Sequence, residues 1–340
     1  MTRHMRAVIV GCVAAGWLAG TAGAWAEQTE SPLAAAARSA RSAKVARAMR
    51  NGEVATQPML WRIEGKVPTY LFGTVHVPDP AVTKLHPAVE RAFAGSGAVF
   101  TELPMDSATQ VSAMRKMMLP GDKTLSDVIG QPLFRRLTKV LDQKLPKDSP
   151  PGSAAMLAAM LAKFKPWAAV SQLSQLEFLS DMLLGRKPLD VMLYERAEKD
   201  GKEVGGLETV DEQIAIFDEG LSEAEQSRLV SLSLDWFEDE SRTGKSATRE
   251  TIDVYLTGDL SALQRLMTDS MKDDPELLQK FSDRALHQRN RIMVDRLLAR
   301  RAARPELVHF IAVGALHYAG DTGIIALLEQ RGLKVTRIHQ

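Results

Sequence analysis

The sequence predicts an α/β fold: a central mixed sheet from two related strand–helix–strand halves, with a large helical insert between them. Short apolar runs rich in β-forming residues occur near both ends of the folded part, and each half continues through a helical segment to a further strand. The long middle of the chain carries apolar residues at helical spacing. Two of the apolar runs end in the pattern Gly-x-x-His, which begins at Gly73 and at Gly314.

The first 26 residues have the features of a secretory signal. Two arginines precede an apolar stretch, and Ala24-Trp25-Ala26 forms a small-x-small cleavage pattern. The apolar stretch is short and rich in Gly and Ala, which argues against a retained membrane anchor. Cleavage after Ala26 is therefore expected, giving a periplasmic or secreted protein without a stable membrane span. Lipidation at Cys12 is the disfavoured alternative, because few apolar residues precede it.

Composition excludes several functional classes. Cys12 is the only cysteine, so the processed chain would have no disulfide, thiolate metal site or Cys nucleophile. The net charge of the whole sequence is +1, which provides no electrostatic basis for nucleic-acid binding. Residues 27–56 form an Ala/Arg-rich segment whose basic residues spiral around a helix, which is typical of a solvated linker. Contact with an anionic surface is the alternative role for this linker. The folded domain then covers residues 57–340.

Strand and helix signals alternate in both halves of the predicted sheet. In the first half, a hairpin at Gly65-Lys66 joins two strands, and a helix leads to a third strand that is expected to run parallel to the second. In the second half, a strand, a helix and a strand follow in the same order, so the two halves are expected to flank each other in one sheet. The predicted strands cover residues 59–64, 69–74, 98–102, 307–313 and 334–338, and the connecting helices cover 87–94 and 322–331.

Residues 106–301 form the predicted helical insert. Its helices have apolar residues at helical spacing, and Lys165-Pro166 marks the start of one of them. A short strand over residues 203–207 interrupts the helical pattern. The predicted helices of the insert cover residues 167–184, 191–200, 222–240, 248–256, 261–271 and 275–301.

Three residues at strand ends are candidates for a catalytic site. His76 and His317 each follow an apolar run, at the edge where open α/β sheets place their sites. Glu102 ends a third apolar strand, where a carboxylate is costly unless it is paired or binds a cation. Two imidazoles and one carboxylate suit an open divalent metal site, which would acidify a water molecule and polarise a carbonyl. Each histidine taken alone could equally bond a backbone carbonyl.

Further residues are expected to support this site. Gly73 and Gly314 would let the backbone approach it closely. Glu208 also follows a predicted strand, and it is either another acidic member of the site or the cap of the helix that follows it. Arg289, next to Asn290, would hold a substrate carboxylate or stabilise an oxyanion. The many arginines of this segment are also typical of a solvated helix face.

Over nearly all of residues 60–338, the chain resembles the TraB/GumN family, which is related to the Tiki proteins. The resemblance implies an α/β core of two related halves and a metal-dependent peptidase that uses manganese or cobalt rather than zinc. It implies that His76, Glu102 and His317 lie at the metal site, with Arg289 and Asn290 as supporting residues. The motifs that carry it occur in the family's order: residues 71–76, Glu102, Lys165-Pro166-Trp167, Leu207-Glu208-Thr209 with Gln213, Arg289-Asn290, residues 313–317 and Gly320-Asp321-Thr322-Gly323.

These observations predict a periplasmic or secreted metal-dependent hydrolase, most specifically a peptidase that acts on peptides or proteins. His76 and His317 would bind the metal, and Glu102 would be the third ligand or the base that activates water. Two alternatives stay open. One is a non-catalytic protein of the same fold that binds a peptide or haem. The other is a metal-free hydrolase similar to the erythromycin esterases, in which His76 and Glu102 share the acid–base work.

Overall fold

A computed structural model describes residues 57–145, 149, 151–178, 181–182, 184–243 and 246–339. The predicted secretory signal, Cys12 within it and the basic linker over residues 27–56 lie outside the described residues. Within the described part, no helix has the length and apolar character that crossing a membrane requires.

The central sheet consists of six strands in the order β4-β3-β5-β2-β1-β6, where the strands are β1 (Leu60–Ile63), β2 (Thr69–Thr74), β3 (Ala98–Thr101), β4 (Glu203–Gly206), β5 (His309–Gly314) and β6 (Val335–Ile338). Strands β4, β3, β5 and β2 pair in parallel, whereas β1 is antiparallel to both β2 and β6. The predicted α/β fold with a mixed sheet is therefore confirmed. The hairpin between β1 and β2 turns through Gly65-Lys66, as expected.

The two halves of the sheet interleave, so the expectation that they flank each other is wrong. The predicted direction of β3 is correct, because β2 and β3 both pair in parallel with β5. However, β5 lies between β2 and β3, and β2 and β1 separate β5 from β6. Every residue of β5 except Gly314 is buried. A strand that is covered on both faces belongs at the centre of a sheet, where it has a partner on each side.

The helices begin at signals that are visible in the sequence. Asp274 is one example: its carboxylate accepts a hydrogen bond from the Leu277 amide, and Pro275 occupies the first helical position. The helices are α1 (Pro80–Thr83), α2 (Pro87–Ala94), α3 (Ser107–Met117), α4 (Leu125–Ile129), α5 (Gln131–Lys144), α6 (Ser153–Leu161), α7 (Pro166–Gln175), α8 (Leu189–Lys199), α9 (Val210–Asp218), α10 (Glu223–Thr243), α11 (Ala247–Thr257), α12 (Leu260–Ser270), α13 (Pro275–Ser282), α14 (Arg289–Ala303) and α15 (Ile324–Gln330).

Two predicted helices differ from the observed ones. The helix expected over residues 167–184 is α-helical as far as Gln175, and the 3-10 turn Leu176–Phe178 follows it. Leu173 of α7 packs in the core of the insert, whereas Phe178 packs in the core of the sheet, so the chain must turn between them. The helix expected over residues 275–301 is divided into α13 and α14 by the π-helical segment Asp283–Gln288.

Two hydrophobic cores meet at the end of β5. The sheet and the helices that cover it enclose one core, in which Trp61 stacks on Tyr318 with ring centroids 5.1 Å apart. The insert helices enclose the second core, in which Trp167 stacks on Phe217 with centroids 4.6 Å apart. Leu316, in the turn that follows β5, packs against both cores. The insert is therefore joined to the sheet at the carboxyl end of its central strand.

Candidate active site at the carboxyl edge of the sheet

Three parallel strands bring His76, Glu102 and His317 to one edge of the sheet. His76 lies two residues beyond β2, Glu102 directly follows β3, and His317 lies in the 3-10 turn Ala315–Tyr318 after β5. Parallel strands end at the same edge, and β5 lies between the other two. All three side chains are buried, with at most 6% of the residue surface exposed. The sequence-predicted residues are thus neighbours, although their strands are not consecutive in the chain.

Oxygen Oε1 of Glu102 lies between the two imidazoles and the backbone. It is 3.5 Å from Nε2 of His76 and 3.7 Å from Nε2 of His317. It also accepts a hydrogen bond of 2.7 Å from the amide of Gly314. A Cβ atom at Gly314 would lie 3.0 Å from this oxygen, which explains the glycine at this position. Gly73 serves a different contact, because a Cβ there would lie 3.2 Å from Ala315.

The second oxygen of Glu102 is held by a buried arginine. Arg289 Nη2 donates to Glu102 Oε2 at 2.6 Å and to Glu208 Oε2 at 2.6 Å, and Gln213 Nε2 donates to the same two oxygens at 3.1 Å. Burial alone would raise the pKa of Glu102, but Arg289 is foremost among the neighbours that hold it well below its usual range. Glu102 is therefore a carboxylate at neutral pH.

Glu208 belongs to this buried network and does not cap the helix that follows it. The cap of α9 is Thr209, which forms a capping box with Glu212. Both carboxylate oxygens of Glu208 accept hydrogen bonds from Arg289 Nε, at 3.0 and 3.1 Å. Burial raises the pKa of Glu208, and Arg289 opposes this shift. The solvated-face interpretation is wrong for Arg289, which is 3% exposed, whereas its neighbour Arg291 is exposed.

Asn290 determines which nitrogen of His317 carries the proton. The Asn290 amide donates from Nδ2 to the carbonyl of Thr322 at 2.9 Å, so its Oδ1 must accept from Nδ1 of His317 at 2.7 Å. Burial, followed by Arg289, lowers the pKa of His317 to about 3. The neutral ring therefore presents the lone pair of Nε2 to the carboxylate of Glu102.

His76 has a second acidic neighbour that the sequence did not reveal. Asp190, in the first turn of α8, is 1% exposed, and its Oδ2 lies 3.2 Å from Nδ1 of His76. Burial by itself would lower the pKa of His76, but Asp190 and Glu102 together raise it to about 10. The available signal was a charged residue between the apolar Leu189 and Val191.

The donor set has the chemistry of a divalent cation site. His317 Nε2 and Glu102 Oε1 are both acceptors, and acceptors that face each other in a buried site are satisfied by a cation. Asp190 lies on the far side of His76 from Glu102, at Nδ1, where proteins commonly place a carboxylate next to a metal-binding histidine. In the arrangement recorded for the described residues, no three His, Cys, Asp or Glu side chains are placed to hold a metal ion. The donors therefore fit a divalent cation by type.

Comparison with known proteins gives a consistent match. The model of the TraB/PrgY/gumN family matches residues 59–337. A metalloprotease TIKI homolog of Nematostella vectensis is 28% identical over 81% of this chain and 66% of its own length. Metalloprotease TIKI2 of Danio rerio is 28% identical over 79% of this chain and 58% of its own length. Metalloprotease TIKI1 of Homo sapiens is 25% identical over 81% of this chain and 61% of its own length.

The chain therefore spans somewhat less than two thirds of the length of the curated relatives it matches. No solved structure matches it.

Proposed function

The chain belongs to the TraB/PrgY/gumN family, and from this premise we propose that it is a metal-dependent hydrolase, most specifically a peptidase. The names of its curated relatives, which are metalloproteases, support the reaction class. One observation carries the proposal for this chain: a lone pair of His317 faces the carboxylate of Glu102 in a buried site, 3.7 Å away, without a proton between them. A cation that binds both groups removes this repulsion.

His76, Glu102 and His317 are the proposed ligands. Manganese or cobalt is proposed in preference to zinc because the resemblance to the Tiki proteins implies it, although two imidazoles and one carboxylate are also a ligand set for zinc. A divalent ion held by these residues would lower the pKa of a water molecule and polarise a peptide carbonyl. Glu102 would either complete the ligand set or accept the proton of the water at Oε1.

The surrounding residues prepare these three side chains. Asn290 holds His317 in the tautomer whose Nε2 is free, and Asp190 Oδ2 lies 3.2 Å from Nδ1 of His76, where its charge favours the ring position. Arg289 keeps Glu102 ionised through Oε2. The hydrogen-bonded nitrogens of Arg289 include Nε, Nη1 and Nη2, whose partners are Glu208, Glu102 and the carbonyl of Ala285. We therefore propose that Arg289 positions Glu102, instead of contacting the substrate or an oxyanion.

The test is metal-dependent cleavage by the purified protein. The chain is treated with chelator and then supplied with Mn²⁺, Co²⁺ or Zn²⁺, and cleavage of a mixed peptide library is followed by mass spectrometry. We expect cleavage to return with metal and to be lost in His317→Ala. His287→Ala is the control, because His287 is partly exposed and pairs with Asp283.

Other outcomes identify the alternatives. Cleavage that survives complete chelation would favour the metal-free hydrolase, in which His76 and Glu102 act as acid and base. A haem absorption band without any peptide cleavage would favour the non-catalytic binding protein.

We also propose that the protein is exported to the periplasm or secreted. The support is the predicted signal over residues 1–26. N-terminal sequencing of the protein recovered from a fractionated culture is expected to begin at Glu27. Recovery in the cytosolic fraction with Met1 retained would refute export, and loss of membrane-bound protein in Cys12→Ala would instead indicate a lipoprotein.

A further inference from the structure

A cavity adjoins the proposed metal site. His76, Glu102 and His317 all line it, and its volume is about 40 Å³. A single water-sized sphere needs roughly 10–15 Å³ of such space, so the cavity has room for about three atoms of that size. This space matches a short side chain.

Beyond these three residues the lining is mainly aliphatic, and the hydroxyl-bearing residues Thr74, Thr251 and Tyr255 are the exceptions. One side comes from the turn after β5, through Ala315 and Leu316. The opposite side comes from the insert, through Leu263 and Met267 of α12 and Leu286 of the π-helical segment. The described lining residues include no Lys, Arg or Asp. An aliphatic group is favoured in such a space, whereas a charged or amide side chain would lose its hydration without a partner.

Three hydroxyl groups line the cavity, and two of them are used within the protein. Tyr255 donates to the carbonyl of Gly73 at 2.9 Å, and Thr251 donates to the carbonyl of Ala247 at 2.8 Å. Thr74 is 2% exposed, yet its hydroxyl has no hydrogen-bond partner among the described residues. Burying an unpaired hydroxyl is unfavourable, so this group is free to bond the polar backbone of a ligand.

We propose that this cavity is the specificity pocket of the enzyme, an inference that rests on the proposed peptidase function. It takes one aliphatic side chain of three or four carbon atoms, such as Val, Ile or Leu, from a residue that flanks the scissile bond. The hydroxyl of Thr74 bonds the backbone of that residue. The substrates are therefore peptides with a branched aliphatic residue at the cleavage site, which His76, Glu102 and His317 then face.

The first experiment measures this preference with the metal-loaded wild-type protein. Peptides are varied at both positions that flank the cleaved bond, through Gly, Ala, Val, Leu, Trp and Asp. We expect kcat/KM for Leu or Val at one of these positions to exceed that for Gly, Trp or Asp at least about tenfold, the usual effect of filling an apolar pocket. Equal rates across the series, or a preference for Trp or Asp, would overturn the pocket.

A binding measurement separates failure of the pocket from failure of the proposed function. Saturation-transfer NMR with the peptide Ala-Leu-Ala amide is expected to show the strongest effect on the Leu methyl groups, and no effect with Ala-Gly-Ala amide. Binding of this kind without cleavage under any metal would retain the pocket and refute the peptidase. Cleavage without a side-chain preference would retain the peptidase and refute the pocket. Absence of both methyl-group binding and cleavage would refute both proposals.

Two neighbouring residues of α12 provide a matched pair of variants. Met267 lines the cavity, whereas Leu266 is equally buried but does not line it. Met267→Ala enlarges the pocket and is expected to shift the preference from Leu towards Phe, while Leu266→Ala keeps the preference for Leu. A shift in both variants, or in neither when circular dichroism shows a native fold, would contradict the assignment. Met267→Val, which removes less volume, is the second variant if Met267→Ala does not fold, and the same shift towards Phe is expected from it.

The role of Thr74 is tested by an isosteric change. Thr74→Val removes an unpaired hydroxyl and keeps the shape of the side chain, so it is expected to leave the free energy of unfolding unreduced. If the hydroxyl bonds the substrate backbone, Thr74→Val lowers kcat/KM about tenfold, chiefly through KM, and Thr74→Ser restores it. Wild-type kcat/KM in Thr74→Val would show that the hydroxyl does not contact the substrate.

Discussion

At the scale of single residues, Glu102 is the centre of the site. One oxygen meets the Gly314 amide and the two imidazoles, and the other meets Arg289 and Gln213. A carboxylate with these partners is both buried and ionised, which is unfavourable unless each partner is present. The proposed activity would therefore depend on Gly314, Arg289 and Gln213 as well as on the three proposed ligands.

Arg289→Lys is expected to destabilise the protein and to abolish activity. A lysine presents a point charge and cannot bridge Glu102 and Glu208 as the planar guanidinium does. Loss of a partner from a buried ionic network costs about 3–5 kcal/mol. The free energy of unfolding is measured by urea denaturation, with Arg291→Lys on the exposed face as control. An unchanged free energy of unfolding in Arg289→Lys would show that the network is dispensable.

Asp190→Asn is expected to weaken metal binding while the fold is kept. The variant removes the negative charge that lies 3.2 Å from Nδ1 of His76. Loss of a carboxylate that contacts a metal-binding histidine typically reduces metal affinity about 10–100-fold. Titration calorimetry with Mn²⁺ measures the affinity, and Glu195→Gln on the same helix is the control, because Glu195 forms an exposed pair with Lys187. Equal affinity in wild type and Asp190→Asn would remove Asp190 from the site.

At the scale of secondary structure elements, the sequence predicted those whose signals are local. The predicted strand over residues 69–74 and helix over 87–94 coincide with β2 and α2, because alternation, Pro87 and the following Gly are read from neighbouring residues. The position of β5 between β2 and β3 depends on pairing between distant parts of the chain, which periodicity does not encode.

The roles of Arg289 and Asn290 depend on partners that are distant in the sequence, Glu102 and His317. In a regular α-helix, consecutive residues point in different directions, so two adjacent buried polar residues are unexpected. The wider turns of Asp283–Gln288 precede them and change the helical register. Arg289 then reaches Glu102 while Asn290 reaches His317. Asp190 escaped prediction for a related reason, because its partner His76 is distant in the sequence.

The start of α9 gives a prediction about pH. Glu212 forms a capping box with Thr209, the N-cap of α9, and it also pairs with Arg296. The hydrogen bond from Arg296 is the main cause that lowers the pKa of Glu212 to about 2. A carboxyl whose folded-state pKa is depressed stabilises the protein above the unfolded pKa of about 4.5, and this contribution disappears as pH falls towards 2. Because the pair is about one third exposed, we expect only about 1 kcal/mol at pH 7.

Glu212→Gln should therefore be less stable than wild type at pH 7, and the difference should shrink on acidification to pH 3. Urea denaturation at a series of pH values measures it. The exposed Glu329, replaced in the same way, is the control and should show no comparable loss at pH 7. A difference that is constant from pH 7 to pH 3 would rule out the assigned role of the Glu212 charge.

At the scale of the whole molecule, the site depends on the attachment of the insert to the sheet. α11 crosses this boundary with two contacts: Tyr255 donates to the carbonyl of Gly73, and Arg249 pairs with Asp79 at 2.6 Å. Asp79 lies three residues beyond His76 and is 3% exposed. The insert thereby supports the loop that carries a proposed metal ligand.

Arg249→Met is expected to reduce stability by about 1–3 kcal/mol, because Asp79 loses its charged partner in a buried position. The same variant should weaken Mn²⁺ binding, since the loop that carries His76 loses its attachment to α11. Thermal unfolding and calorimetric titration measure the two effects. Normal Mn²⁺ affinity in a destabilised Arg249→Met would show that the insert stabilises the fold without supporting the site.

The most direct test of the central claim determines metal content and peptide cleavage on the same preparations of wild type and His317→Ala. For wild type, we predict one bound ion per chain and cleavage that returns in proportion to the ion restored after chelation. For His317→Ala, we predict a native circular dichroism spectrum with neither the ion nor cleavage. Full cleavage by chelated wild type, or a full complement of ion and activity in His317→Ala, would contradict the proposed metal-dependent hydrolase.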